Sequence, residues 1–176
     1  MKRLYLLLFV CLAAWLLGGC STLGFSRNID GNVPLNKAAT EVPENQLLDV
    51  WVELFDPGTL PEDEDDAMGL SMDIRDAEAR YMPEQLRSAM EATGYWGAVR
   101  VVPQNTEGAE LLVRGTIIES DGEQLELEIT ALDATGREWF NRSYEEEIEA
   151  DAYRRSESSG DDVFYSLYHT IASDLA

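Results

Sequence analysis

A chain of 176 residues is about one domain's worth, and 45% hydrophobic residues are enough to build a core. Thirteen Lys and Arg against 34 Asp and Glu give a formal net charge of -21. A surface of that sign repels phosphate backbones and anionic headgroups, which argues against nucleic acid as a partner and against polybasic lipid binding.

The chain opens with Lys2 and Arg3, a short positive start. Residues 4–17 (LYLLLFVCLAAWLL) form an uninterrupted apolar run of 14. A membrane span needs about 20, so the run suits the core of an export signal instead. Its end, Leu17-Gly18-Gly19-Cys20, resembles the lipobox of bacterial lipoproteins. The resemblance implies a signal peptide over 1–19, cleaved before Cys20. The Cys20 thiol and the new amino group would then be acylated, with palmitate among the chains. Sulfur is the acyl acceptor, and several chains are needed because each buried CH2 contributes ~0.8 kcal/mol and a single chain anchors marginally. Cleavage would remove Cys11, so the mature domain would have no disulfide, zinc cluster or thiol pair. It would also remove Lys2 and Arg3, leaving 11 basic against 34 acidic residues and a net charge of -23. Ser21 follows Cys20. In the family's sorting rule Asp at this place retains a lipoprotein in the inner membrane. Ser21 therefore implies the periplasmic face of the outer membrane, with the inner membrane as the alternative.

Residues 20–46 are expected to comprise the lipidated cysteine and a flexible tether. Gly, Pro, Asn and Ser are scattered there without a period. As free coil the stretch after Cys20 would span ~28 Å root-mean-square. A periplasmic domain is expected over 47–176. Residues 48–55 (LDVWVELF) read as its first strand. Residues 56–69 read as a loop with two prolines and the acidic run Glu62-Asp63-Glu64-Asp65-Asp66. A calcium loop starting at Asp63 would place Ala67 and Met68 where an acidic ligand and glycine are needed, so the run reads as a solvated charge cluster. A helix follows, with Pro83 suited to its first position, Leu86, Ala89, Met90 and Thr93 on one face, and Gly94 as the stop. A start near Asp76 is the alternative and would leave Pro83 straining the helix. Residues 98–102 (AVRVV) are a short strand ended by Pro103.

Three strands then run over 110–119, 123–132 and 138–148. Their turns, Ser120-Asp121-Gly122 and Ala134-Thr135-Gly136, each place Gly third in a three-residue loop, where a left-handed residue is needed. Residues 161–175 form a last helix with the apolar stripe Phe164, Leu167, Tyr168, Ile171 and Leu175. The fold class is therefore α+β, a mixed sheet with a three-strand antiparallel meander and helices packed on one face.

The three-residue loop predicts the pairs Ile117 with Leu125, Gly115 with Leu127, Val113 with Ile129 and Leu111 with Ala131. A one-residue slip would exchange the faces, so the apolar match selects this parity. Helices are expected over the face of Ile117, Leu127 and Ile129. The other face would carry the row Arg114, Glu128, Arg142, with Phe140 beside Thr130 and Tyr144 beside Glu126. This is the candidate partner face, together with the sheet edge. Its weak point is the third strand, whose core side would carry Asn141 and Ser143 after Trp139.

The order from 48 to 175 resembles a group of periplasmic α+β domains. They include the amino-terminal domain of the Tol-system propeller protein, the curli secretion lipoprotein and lipoprotein activators of penicillin-binding proteins. The resemblance rests on Leu86-Arg87-Ser88-Ala89-Met90 leading to Val99-Arg100-Val101-Val102, then Glu110-Leu111-Leu112-Val113-Arg114-Gly115, then Leu132-Asp133-Ala134-Thr135-Gly136. It implies docking or assembly at the cell envelope and carries over no functional residue.

Catalytic constellations are missing from the sequence. His169 is the sole histidine and lies beside the apolar stripe of the last helix. There is no G-x-S-x-G turn, no H-E-x-x-H and no Gly-rich phosphate loop. Asn141-Arg142-Ser143 matches a glycosylation sequon by chance. The expectation is a noncatalytic, lipid-anchored protein without catalytic residues, metal or cofactor that binds an envelope protein, in cell-wall or outer-membrane assembly. The alternative is a small-ligand binder or carboxylate-dependent enzyme. A cavity of several hundred Å³ would favour the alternative. A filled core with an exposed apolar patch would favour docking.

Overall fold

The computed structural model describes residues 26–29, 31–61, 70–149, 152–160 and 162–176. Cys20, Ser21, the export signal and the acidic run 62–66 lie outside them. The elements in order are β1 (Ser26–Ile29), β2 (Val50–Glu53), α1 (Met72–Thr93), β3 (Val99–Val102), β4 (Leu111–Ser120), β5 (Gln124–Asp133), β6 (Glu138–Glu147), α2 (Ala152–Ser159) and α3 (Tyr165–Leu175). The strands make one mixed sheet in the order β1-β6-β5-β4-β2-β3. Strands β4, β5 and β6 form the antiparallel meander. Strand β1 is parallel to β6, and β2 is parallel to both β3 and β4. The chain is an α+β fold, as its pattern predicted.

Helix α1 begins earlier than Pro83. Ser71 is its N-cap, in extended conformation, and its hydroxyl accepts Ile74 N–H. Gly94 closes it in the left-handed region at φ 74°. Pro83 thus lies inside the helix, buried. Proline has no N–H for the carbonyl four residues back, which is that of Ala79. That carbonyl instead accepts Phe55 N–H at 3.0 Å. The missing helical bond is used to dock the end of β2 against α1.

Helices α1 and α3 cover one face of the sheet. Met82, Leu86 and Met90 from α1 and Leu167 and Ile171 from α3 join Val52, Val113, Ile117, Leu127 and Ile129 in one core. The expected apolar face of the meander is therefore the covered one. The stripe Phe164, Leu167, Tyr168, Ile171 and Leu175 is buried throughout.

The register differs from expectation in both hairpins. Ile117 pairs with Leu127 and Gly115 with Ile129, two residues from the expected partners. The side-chain period is two, so this slip leaves the residues from Leu111 to Ile117 on their expected face, and the apolar match could not detect it; Glu119, expected on the Ile117 face opposite Glu123, instead meets Glu126 on the open face. A bulge at Ile118 then sets Ser120 opposite Leu125. Asp121 Oδ1 accepts the N–H groups of Glu123 and Gln124, both at 2.8 Å, and closes the turn.

In the second hairpin the slip is one residue and does exchange faces. Leu132 pairs with Glu138, but Ala131 pairs with Phe140, leaving Trp139 as the extra residue of a bulge. Beyond it Ile129 meets Arg142 and Leu127 meets Tyr144. The bulge brings Tyr144 into the core, 0% exposed, and moves Asn141 and Ser143 to the uncovered face. It removes the polar residues that the simple hairpin would have buried.

The segment expected to be a free tether is not one where it is described. Ser26–Ile29 is an edge strand beside Ser143–Glu146. Ile29 is buried, and Val33 and Leu35 pack on the core. The strap that follows is pinned by Val33 N–H to Ser166 Oγ, Asn36 N–H to Ser173 Oγ and Ala38 N–H to the Thr93 carbonyl.

Candidate functional site

The uncovered sheet face is graded from apolar to acidic. At one end Arg100 neighbours Trp51, Trp51 neighbours Leu112, and Leu112 neighbours Leu132. Trp51, Leu112 and Leu132 are half-buried with no helix above them among the described residues. The next row holds Arg114 and Thr130, with Asn141 Nδ2 donating to Thr130 Oγ1 at 3.0 Å. Arg114 Nε donates to Glu53 Oε2 at 3.0 Å. Glu53 is 4% exposed, and its Oε1 accepts Asn105 N–H. This ion pair holds the end of β2 to β4 on the open side. Thr116, Glu128 and Ser143 form the third row, and Glu119, Glu126 and Glu145 the fourth. Burial raises the Glu126 carboxyl above its usual range, and the neighbouring Glu145 charge adds to the rise.

The expected row of Arg114, Glu128 and Arg142 does not exist. Arg114 and Glu128 share the open face, but Arg114 pairs with Thr130, and Glu128 lies between Thr116 and Ser143. Phe140, Arg142 and Tyr144 lie on the covered side, because the Trp139 bulge turned them there. The Arg142 guanidinium sits 5.7 Å from the Phe140 ring centre and 6.0 Å from that of Tyr144. Asp174 on α3 gathers Arg142 Nη1 and Arg27 Nη1, each at 2.5 Å, and the Tyr144 hydroxyl at 3.0 Å. This cluster ties β1 and β6 to α3 and is a structural knot. Burial and the Asp174 charge raise the Tyr144 hydroxyl above its ordinary value.

A second concave surface lies between the end of β6, α2 and the start of α3. Its volume is about 920 Å³, and its walls include Asn32, Glu146, Glu149, Ser156, Asp162 and Ser166. Glu146 is 6% exposed, and its Oε2 accepts Leu167 N–H at 2.9 Å in the first turn of α3. Burial pushes its carboxyl up to about 7; the Leu167 N–H opposes the rise and the Asp162 charge adds to it. Asp162 Oδ1 accepts Phe164 N–H, and its Oδ2 accepts the Tyr81 hydroxyl at 2.9 Å. Burial and that bond push the Tyr81 hydroxyl up to about 12. Such a cleft can hold a polar ligand, and Glu146 can bind or release a proton near neutrality. No group of three metal-ligating side chains is present among the described residues.

His169 sits where its helical position predicted, at the edge of the core. Its Nδ1 lies 3.2 Å from the Val33 carbonyl, and its ring meets Tyr165 edge-on at 5.3 Å. It fastens the strap to α3. Sequence reading missed Glu146, because one carboxylate among 34 acidic residues has no distinguishing neighbour pattern. It also missed the strip of Trp51, Leu112 and Leu132. The signal for that strip was the apolar residue on the polar phase of each strand.

No protein-family profile matches the chain, and no curated protein sequence does. Among solved structures, a leucine-to-methionine variant of the PelC dodecamer from Paraburkholderia phytofirmans is 17% identical. It covers 81% of this chain and 92% of its own, with a TM-score of 0.48. A second crystal form of the PelC dodecamer from the same organism gives 12% identity, 79% and 92% coverage, and a TM-score of 0.43. Likeness at this level is not evidence of a shared role.

Proposed function

We propose that this protein is a noncatalytic, lipid-anchored lipoprotein of the outer membrane whose domain docks an envelope protein on the sheet face that α1 and α3 leave uncovered. The observation that carries the docking is the strip of Trp51, Leu112 and Leu132, half-buried apolar residues with no helix above them among the described residues and with Gly108 of the loop after β3 against the Trp51 ring. Beyond the row of Arg114, Thr130 and Asn141, the rows with Glu119, Glu126, Glu128 and Glu145 favour a partner that presents basic groups farther along the same face. The anchor rests on Leu17-Gly18-Gly19-Cys20. With Cys20 in the membrane, the chain to Ser26 reaches roughly 20 Å at full extension, so the β1 edge would stay near the bilayer.

A photocrosslinking side chain at Leu132 should yield a discrete adduct from intact cells. The same group at the exposed Arg80 on α1 should not. Equal adducts at both sites, or none at Leu132, would remove the docking assignment. Cys20→Ala should abolish palmitate labelling, and normal labelling of that variant would remove the anchor.

A second reading has one observation behind it, the cleft of about 920 Å³ with the buried Glu146 on its wall. A site of that size suits a small polar ligand. Loss of the envelope phenotype in Glu146→Gln, with the Leu132 adduct intact, would favour it.

A further inference from the structure

The uncovered sheet face has a wall on one side, and its chemistry changes along its length. On the β2 side the loop after β3 folds over the sheet. Its Asn105 N–H bonds Glu53 Oε1 at 2.9 Å, and Gly108 stands against the Trp51 ring. The free floor therefore lies over β4, β5 and β6. It starts at Leu112 and Leu132 and ends at Glu119, Glu126 and Glu145. Arg114, near the apolar end, is already paired with Glu53 at 3.0 Å. Glu138 lies beside Leu132, but the carboxylates gather at the other end, from Glu128 onward. There Glu119, Glu126 and Glu145 stand directly opposite one another across the strands. Like charges so placed weaken a sheet, and a cation from outside relieves them.

We propose that the occupant of this floor is an amphipathic helix of the partner, lying along β5 with an apolar C-terminal half on Leu112 and Leu132 and a basic N-terminal half on the last row of glutamates. This rests on the docking assignment and adds the form, direction and charge of what docks. Strands β4 and β5 have neighbours on both sides, so their backbone groups are used within the sheet. An extended segment gains main-chain bonds only at a sheet edge. A helix docks through side chains, as α1 and α3 do on the opposite face. Three strands spaced ~4.8 Å apart present a floor about as wide as a helix of ~10–12 Å diameter. The positive end of a helix and its basic side chains both favour the glutamates, which sets the direction.

The test uses β5 as a ruler. Photocrosslinking side chains are placed one at a time at Leu132, Glu128 and Glu126 of the protein in intact cells, and mass spectrometry locates the attached residue of the partner. Glu128 lies ~14 Å and Glu126 ~20 Å from Leu132 along the strand. At ~1.5 Å per residue, a helix in the stated direction places these contacts about nine and about thirteen residues before the one at Leu132. Steps of about four and about six, as an extended segment gives, overturn the proposal, and so do steps toward the partner's carboxyl end. Adducts at Leu132 with the wrong steps leave the docking assignment standing, whereas no adduct at Leu132 removes both. Glu126→Lys tests the charge match. It sets a cation between Glu119 and Glu145, so the fold should hold by circular dichroism while the Leu132 adduct falls about fivefold. An undiminished adduct in that folded variant overturns the basic half of the helix. If the variant fails to fold, the spacing of the wild-type adducts decides.

Discussion

Glu146 couples stability to pH with a sign opposite to that of a salt-bridged carboxylate. Its folded-state value of about 7 stands above the ordinary 4.5. The unfolded chain therefore releases this proton more readily than the folded one. The stabilisation is fully present below pH 4.5 and is lost as the pH rises through about 7. At pH 8 the buried charge costs up to ~3 kcal/mol. Glu146→Gln keeps an acceptor for Leu167 N–H and removes the charge. It should match the wild type near pH 4 and melt higher at pH 8, as read by thermal unfolding across that range. A melting difference independent of pH would refute the assignment. Little of this was legible in the sequence. Acidic residues are everywhere in the chain, and only packing decides which carboxyl loses its water. Asp174 is a similar case. Its partners Arg27, Arg142 and Tyr144 come from two strands whose adjacency no local pattern announces.

At the scale of elements, most strands and helices were readable from periodicity and turn residues. Their registers were not. The end of helix α1, both hairpin turns and α3 lie where Gly94, Asp-Gly, Thr-Gly and apolar spacing put them, whereas α1 starts at Met72, well before Pro83. The two-residue slip in the first hairpin goes with the bulge at Ile118, and contacts outside the hairpin fix β4 against the segment after β2. The Phe55 ring lies on Gly115, whose missing side chain makes room: a Cβ there would stand 2.6 Å from the ring carbons. Asp56 N–H then bonds the Gly115 carbonyl, and Ile117 N–H bonds the Asp56 carbonyl. Gly115→Ala should therefore lower stability by ~1–3 kcal/mol through overpacking, measured by urea unfolding. An unchanged midpoint would show that Phe55 moves aside freely. The Trp139 bulge was legible only as a conflict, since a regular hairpin buried Asn141 and Ser143. The conflict was visible, but its resolution needed Tyr144 to find Asp174 and the core.

For the molecule as a whole, the decisive quantity is how the strap and the open face are arranged relative to the proposed anchor. Residues 26–46 do not hold the domain off a membrane by a loose coil where they are described. They begin with a sheet edge and continue as a strap over α3. The proposed outer-membrane location rests on Ser21 after Cys20. Density-gradient fractionation should find the protein with outer-membrane markers, and recovery wholly with inner-membrane markers would show that the sorting rule does not hold here. The sequence alone determined the fold class, the covered face of the meander and the strong negative charge. Each of these is set by local spacing or by composition, which need no knowledge of neighbours. Tertiary structure decided the register of both hairpins, the side on which Phe140, Arg142 and Tyr144 lie, the burial of Glu146 and the ordering of the strap. Those depend on which distant groups exclude water from one another, and a two-residue period in one strand carries no record of that.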